Sequence, residues 1–135
     1  MDPYERRRRR MAITDMGVLR MVFVNYPKCG TCRKARKLLE ENGIAFEDRN
    51  IKEQHPTADE LKEWIAKSGL PVKKFFNTSG MLYRQMELKD KLPDMSEQEM
   101  IELLATDGML VKRPILVTED QVLVGFKQAE WEEID

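Results

Sequence analysis

The stretch Met21-Val22-Phe23-Val24-Asn25-Tyr26-Pro27-Lys28-Cys29-Gly30-Thr31-Cys32-Arg33, continuing through Lys34-Ala35-Arg36-Lys37-Leu38-Leu39-Glu40-Glu41, decides how the chain folds. Its first six residues are β-branched, aromatic or apolar apart from Asn25, the composition of a buried central strand. Pro27 ends that run because it cannot donate to a strand ladder. From residue 33 the period changes: Ala35, Leu38 and Leu39 recur at helical spacing among charged neighbours, and Asn42-Gly43 offers a left-handed exit. Both cysteines of the chain fall at this strand-to-helix junction. Two thiols separated by two residues at the first turn of a helix can join in a small disulfide, and the positive end of the helix favours a thiolate on Cys29. Lys28 and Arg33 flank the pair. Gly30-Thr31 reads as a tight turn that aims backbone amides at the Cys29 sulfur.

Two other readings of the pair compete with redox chemistry. A zinc site needs further ligands, and the chain has no third cysteine and a single histidine, His55, so no metal is expected. The two cysteines could also be small apolar packing residues, but the basic flanks and the helix terminus argue for reactivity.

With 135 residues, 41% of them hydrophobic and 35% charged, the chain suits one compact domain with a solvated surface. No apolar run approaches the roughly 18 residues that span a bilayer, and the charged N-terminus does not read as a secretory signal. The expected location is the cytoplasm, where a Cys29–Cys32 disulfide is transient, catalytic or sensing rather than a staple. Residues 1–20 stand apart: five consecutive arginines, Arg6 to Arg10, sit among several methionines without helical or strand periodicity, which predicts a disordered extension or a non-native leader. Residues 21–135 hold 17 basic and 21 acidic residues, a net charge of −4, so the body is not expected to bind nucleic acid directly. A monomer with no membrane attachment is the expectation.

Residues 44–51 read as a second strand, closing a βαβ unit whose right-handed crossover puts Cys29 at the carboxyl edge of the sheet. Thr57 and Glu60 have the spacing of a capping box, and Leu61, Trp64, Ile65 and Leu70 give the following helix its apolar side. A short helix is predicted over 81–88. Ser96 and Glu99 open another helix carrying Met100, Ile101, Leu103 and Leu104, which ends near Asp107-Gly108. Residues 111–118 read as a strand entered through Arg113-Pro114, residues 122–126 as its hairpin partner, and residues 127–133 as a terminal helix with Trp131. The predicted class is α/β, a thioredoxin-like fold with a mixed four-stranded sheet and a helical insertion.

On Tyr26-Pro27-Lys28-Cys29-Gly30-Thr31-Cys32-Arg33 and Lys112-Arg113-Pro114-Ile115-Leu116-Val117, with Val124-Gly125-Phe126 in support, the body resembles the arsenate reductase (ArsC)/Spx/MgsR family of thioredoxin-fold proteins. The resemblance implies that Cys29 is the nucleophile and Cys32 its resolving partner. It further implies that Pro114 is cis and faces the cysteine loop, where a substrate thiol or peptide would dock, and that Arg113 supports a thiolate or bound anion. Single-cysteine arsenate reductases clamp the oxyanion with three arginines, and this chain matches one convincingly, Arg113. Ser79 stands where relatives carry the second, and Lys127 lies near the third. Serine cannot make the bidentate anion contact of a guanidinium, so efficient arsenate reduction is not expected. Arg84 is the remaining candidate to replace the missing arginine. The family also implies a thiol or disulfide substrate and no bound cofactor. Glutathione, thioredoxin or glutaredoxin would be the electron donor. Through its regulator branch the family implies the RNA polymerase α subunit as a partner.

Overall fold

The computed structural model describes residues 21–134, so the reading of residues 1–20 lies outside the described residues. Val22–Asn25 forms β1, Gly30–Glu41 forms α1 and Glu47–Asn50 forms β2. β1 and β2 are parallel, with Val22 opposite Glu47 and Asn25 opposite Asn50, as the βαβ reading requires. Ile115–Val117, β3, and Val122–Val124, β4, complete a mixed sheet of order β2-β1-β3-β4 in which β3 is antiparallel to both neighbours. The central strands are buried and β2 lies at an edge with Glu47 and Asp48 exposed. β2 is shorter than the predicted 44–51: Ile44 lies ahead of it, buried in the core shared with Phe23 and Leu39.

One face of the sheet is covered by α1 and the terminal helix α6, Gln128–Glu132. Phe23, Ala35, Leu39, Ile44, Leu116 and Trp131 form the core on that side. Trp131 is fully buried, sits edge-on to Phe23 and Phe126, and donates its Nε1–H to the Gly125 carbonyl at 3.1 Å. The indole's one polar group therefore has a partner, so its large apolar surface is buried without leaving a polar atom unpaired.

The other face carries the helical insertion: α2 (Ala58–Ser68), α3 (Met81–Gln85), α4 (Leu88–Lys91) and α5 (Glu97–Leu104). Both capping boxes form, Thr57 with Glu60 and Ser96 with Glu99, each satisfying two amides at a helix start. Leu70 is not on the apolar side of α2. The helix stops at Gly69 in the left-handed region, and Leu70 beyond it is 38% exposed. The predicted helix over 81–88 is two short helices separated by Glu87, whose φ of 54° breaks the spiral. The predicted strand over 111–118 is likewise split. Val111 bridges to Phe76, the Arg113–Pro114 bond is cis, and the ladder resumes at Ile115. Among the described residues no helix is long and apolar enough to cross a membrane.

Two ion-pair clusters fix the connections around β1 and β2. Asn25, buried at the end of β1, donates from Nδ2 to Asp48 Oδ1 at 2.7 Å and accepts from Arg36 Nη2 at 3.1 Å, while Arg36 and Asp48 pair at 2.9 Å. α1 is thereby tied to both parallel strands. Arg49 forks onto both Glu60 carboxylate oxygens at 2.6 and 2.8 Å, and donates to the carbonyls of Gln54 and His55, which ties the β2–α2 connection to the helix start.

Candidate redox site

β1 delivers its last residues to the carboxyl edge of the sheet, and the turn at Pro27-Lys28 reverses the chain so that the Cys29 amide donates to the Tyr26 carbonyl at 2.9 Å. Cys29 then occupies the N-cap of α1 in extended conformation, and Gly30, Thr31 and Cys32 form its first turn. The helix begins three residues before the predicted Arg33. Its first turn holds no acidic side chain to compete for the amides. Sulfur thus stands where serine or aspartate usually caps a helix.

Cys29 and Cys32 are both free thiols and lie 3.3 Å apart. Cys29 is half-buried, while Cys32 is 1% exposed behind it. Burial pushes the Cys29 thiol up, but the Cys32 backbone amide, the Cys32 thiol and the Arg113 guanidinium outweigh it and hold Cys29 below the ordinary thiol value. Cys32 moves the other way: burial, together with the adjacent Cys29 sulfur, pushes it up to about 12 despite the Tyr26 amide. The front thiol is the easier to ionise and the rear one keeps its proton.

Of the flanking residues expected to form the site, Lys28, Gly30, Thr31 and Arg33 are all exposed on the outer side of the loop. The charge acting on Cys29 comes from Arg113 instead of Lys28 or Arg33, because the long side chains at 28 and 33 point into water. Gly30 is not a turn residue. It sits in the helix without a left-handed φ, and a Cβ there meets nothing within 4 Å. What it leaves is open space at the exposed start of the helix, one residue after Cys29.

Arg113 arrives from the β3 side with its guanidinium 5.1 Å from the centre of the Tyr26 ring. Its Nε and Nη1 are buried and have no hydrogen-bond partner among the described residues. A half-buried arginine with two buried, idle donors beside a thiol is suited to holding a negatively charged group against the sulfur. Pro114 is buried and its carbonyl accepts from the Gly125 amide at 2.8 Å, which anchors the cis segment to β4. Arg84 lies exposed on α3, and no contact among the described residues brings it to the cysteine loop. Asn25 and Arg36 were not singled out from the sequence. The available signal was Asn25 itself, a polar residue at the end of an otherwise apolar strand.

Comparison with known proteins agrees with this geometry. The sequence pattern of the ArsC family matches residues 24–134. YusI of Bacillus subtilis is 57% identical over 113 residues, spanning 84% of this chain and 96% of that protein. The global transcriptional regulator Spx of Enterococcus faecalis is 30% identical over 104 residues, 77% of each chain. The crystal structure of an ArsC family related protein from Bacteroides fragilis is 57% identical and superposes with a TM-score of 0.84 over 86% of this chain and 98% of that one. By its sequence match and its superposition alike, the chain belongs to the ArsC family.

Proposed function

We propose that this protein is a cytoplasmic thiol–disulfide oxidoreductase in which Cys29 attacks and Cys32 resolves. The observation that carries the reading is the placement of two free thiols 3.3 Å apart at a helix start, the reachable one in front of the buried one.

In the first step the Cys29 thiolate attacks one sulfur of a disulfide, forming a Cys29–substrate disulfide and expelling the other sulfur as a thiolate that takes a proton from water. That step removes the negative charge from Cys29. Part of what holds the Cys32 proton is that neighbouring sulfur, so its loss eases ionisation of Cys32. Cys32 then gives up its proton, attacks the Cys29 sulfur and expels the second substrate thiolate. Two electrons have passed from the cysteine pair to the substrate, and the Cys29–Cys32 disulfide remains. A glutathione, thioredoxin or glutaredoxin donor returns two electrons to restore both thiols. Arg113 supports the Cys29 thiolate before it attacks, and Pro114 borders the place where the substrate sulfur sits.

The test is equilibration in graded thiol–disulfide buffers, alkylation of free thiols and intact mass. A reversible transition of two labels at or above the cytosolic glutathione range, roughly −320 to −220 mV, supports the pair as a working couple. Failure of the two cysteines to join defeats the resolving step.

The 30% identity to Spx favours a second reading, in which the same disulfide switches a surface for the RNA polymerase α subunit. Binding of purified α subunit that changes with the oxidation state of the pair supports the switch. Turnover of disulfides without the subunit supports the enzyme.

A further inference from the structure

Away from the cysteines, two adjoining cavities of about 500 and 300 Å³ share Lys73, Lys74 and Thr78 as common wall. Lys89 completes the charged lining of the larger, and Lys112 and Lys127 that of the smaller. Five of the twelve lysines between residues 21 and 135 therefore line one trough. No aspartate or glutamate lines either cavity, and none of the five lysines pairs with a carboxylate of the described residues. The contrast with the rest of the surface is sharp. The body carries a net charge of −4, and the groove between α1 and α6 mixes Lys34 and Lys37 with Glu41 and Glu132. Gathering unpaired cations on an acidic body costs self-repulsion, which a bound anionic partner relieves.

The lining is not charge alone. Tyr83, Leu92, Met95 and Met100 face the larger cavity, and Val124 and the exposed Leu70 the smaller. A phosphodiester backbone offers nothing to such apolar walls. A peptide whose acidic residues alternate with leucine or phenylalanine satisfies both. The trough is joined to the redox site along the chain: Lys112 directly precedes Arg113, and Lys127 follows the Gly125-Phe126 turn whose glycine amide bonds Pro114.

We propose that this lysine trough docks an acidic, leucine- or phenylalanine-bearing segment of the protein that exchanges thiols with Cys29. The docking stands on the trough alone, and the identity of the docked protein as an exchange partner rests on the thiol–disulfide reading above.

Docking is measured by fluorescence anisotropy with a labelled Glu/Leu-alternating peptide, using the Cys29→Ser/Cys32→Ser protein so that no covalent exchange contributes. A Glu/Gly peptide and a single-stranded oligodeoxynucleotide serve as comparison probes. The Glu/Leu peptide binds most tightly, and binding weakens between about 0.01 and 1 M salt as the Debye length falls from about 30 to about 3 Å. Lys73→Glu/Lys74→Glu/Lys89→Glu weakens it about tenfold or more, and Lys34→Glu/Lys37→Glu in the other groove does not. Lys→Gln substitutions at positions 73, 74 and 89 give a smaller loss in the same direction and guard against a folding defect. Equal binding of the oligonucleotide or the Glu/Gly peptide, no binding, or no effect of the trough substitutions overturns the proposal. In the cysteine-intact protein, the trough substitutions raise KM for an acidic peptide disulfide and leave hydroxyethyl disulfide unaffected. Docking that survives while the thiol pair fails to join separates loss of the redox reading from loss of this one.

Discussion

The guanidinium of Arg113 lies 5.1 Å from the centre of the Tyr26 ring, across from the loop whose first cysteine it helps to ionise. The ring holds the cation by cation–π attraction, and Arg113 Nε and Nη1 have no partner among the described residues. Arg113→Met keeps much of the packing and deletes the charge. The expected outcome is an upward shift in the pH midpoint of Cys29 alkylation and mixed-disulfide formation slowed by about tenfold at neutral pH, the scale of one charge-assisted hydrogen bond. Arg113→Lys restores part of the shift but less of the rate, because an ammonium lacks the planar fork. An unchanged midpoint in the methionine variant removes Arg113 from the site's electrostatics.

Cys32 acts on Cys29 through its backbone amide and its S–H, and a substitution there separates the two. Cys32→Ala removes the side-chain donor and leaves the amide. Its alkylation midpoint moves up from the wild-type value, while Cys32→Ser, which keeps a hydroxyl donor, moves it less. Both variants accumulate a Cys29–substrate mixed disulfide, seen as added mass in the intact protein, because no thiol remains to resolve it. Release of substrate from either variant at the wild-type rate contradicts the resolving role.

Gly30 separates function from conformation. Its backbone is helical and the space where a Cβ would project is open. Gly30→Ala should stabilise the fold by about 0.4–1 kcal/mol through loss of unfolded-chain freedom, measured as a raised Tm. Reaction with small disulfides should be retained, and a fall confined to bulky disulfides would identify the open side of Gly30 as the substrate's approach.

The order of elements, the parallel βαβ unit, both capping boxes and the cysteine junction could all be read from local patterns, because each is set by residues within a few positions of one another. Two features do not follow from local patterns. Local charge credits Lys28 and Arg33 with acting on Cys29, and only the resemblance points to Arg113, some eighty positions away, which the β1–β3 pairing brings near. Side-chain type reads residues 111–118 as one strand, and only the resemblance implies the cis Arg113–Pro114 step, after which the ladder resumes at Ile115. Gly30 misleads for the opposite reason: glycine beside a cysteine suggests a turn, whereas here it lies in the first turn of α1.

Arg49 and Glu60 give the stability of the insertion a pH signature. The Arg49 fork, helped by the Thr57 amide, holds the Glu60 carboxyl well below the usual carboxylate range, at about 2. An acid whose folded pKa is depressed stabilises the fold fully above its unfolded pKa of about 4.3 and loses that contribution as pH falls toward the folded value. Thermal unfolding from pH 6 downward should therefore show wild type losing stability between about pH 4 and 2 more steeply than Glu60→Gln, whose Tm is lower at pH 6 and converges with wild type in acid. Parallel curves would mean that the pair contributes nothing net, the common fate of exposed ion pairs.

In sequence Asp107-Gly108 reads as a helix exit, a role that asparagine could also fill. The structure requires glycine there for another reason: a Cβ on Gly108 would stand 1.8 Å from the Ile51 carbonyl oxygen and 3.1 Å from His55 Cβ. Ile51 directly follows β2, so its carbonyl cannot retreat without pulling on the parallel pairing, where its own amide bonds the Asn25 carbonyl at 2.8 Å. No rotamer relieves a clash between a Cβ and a backbone. Gly108→Ala should cost about 4 kcal/mol or more, seen in denaturant unfolding or as loss of soluble protein. A variant with wild-type stability would show that the Gly108–Leu110 turn can shift away from β2, and the tight register between insertion and sheet would have to be abandoned.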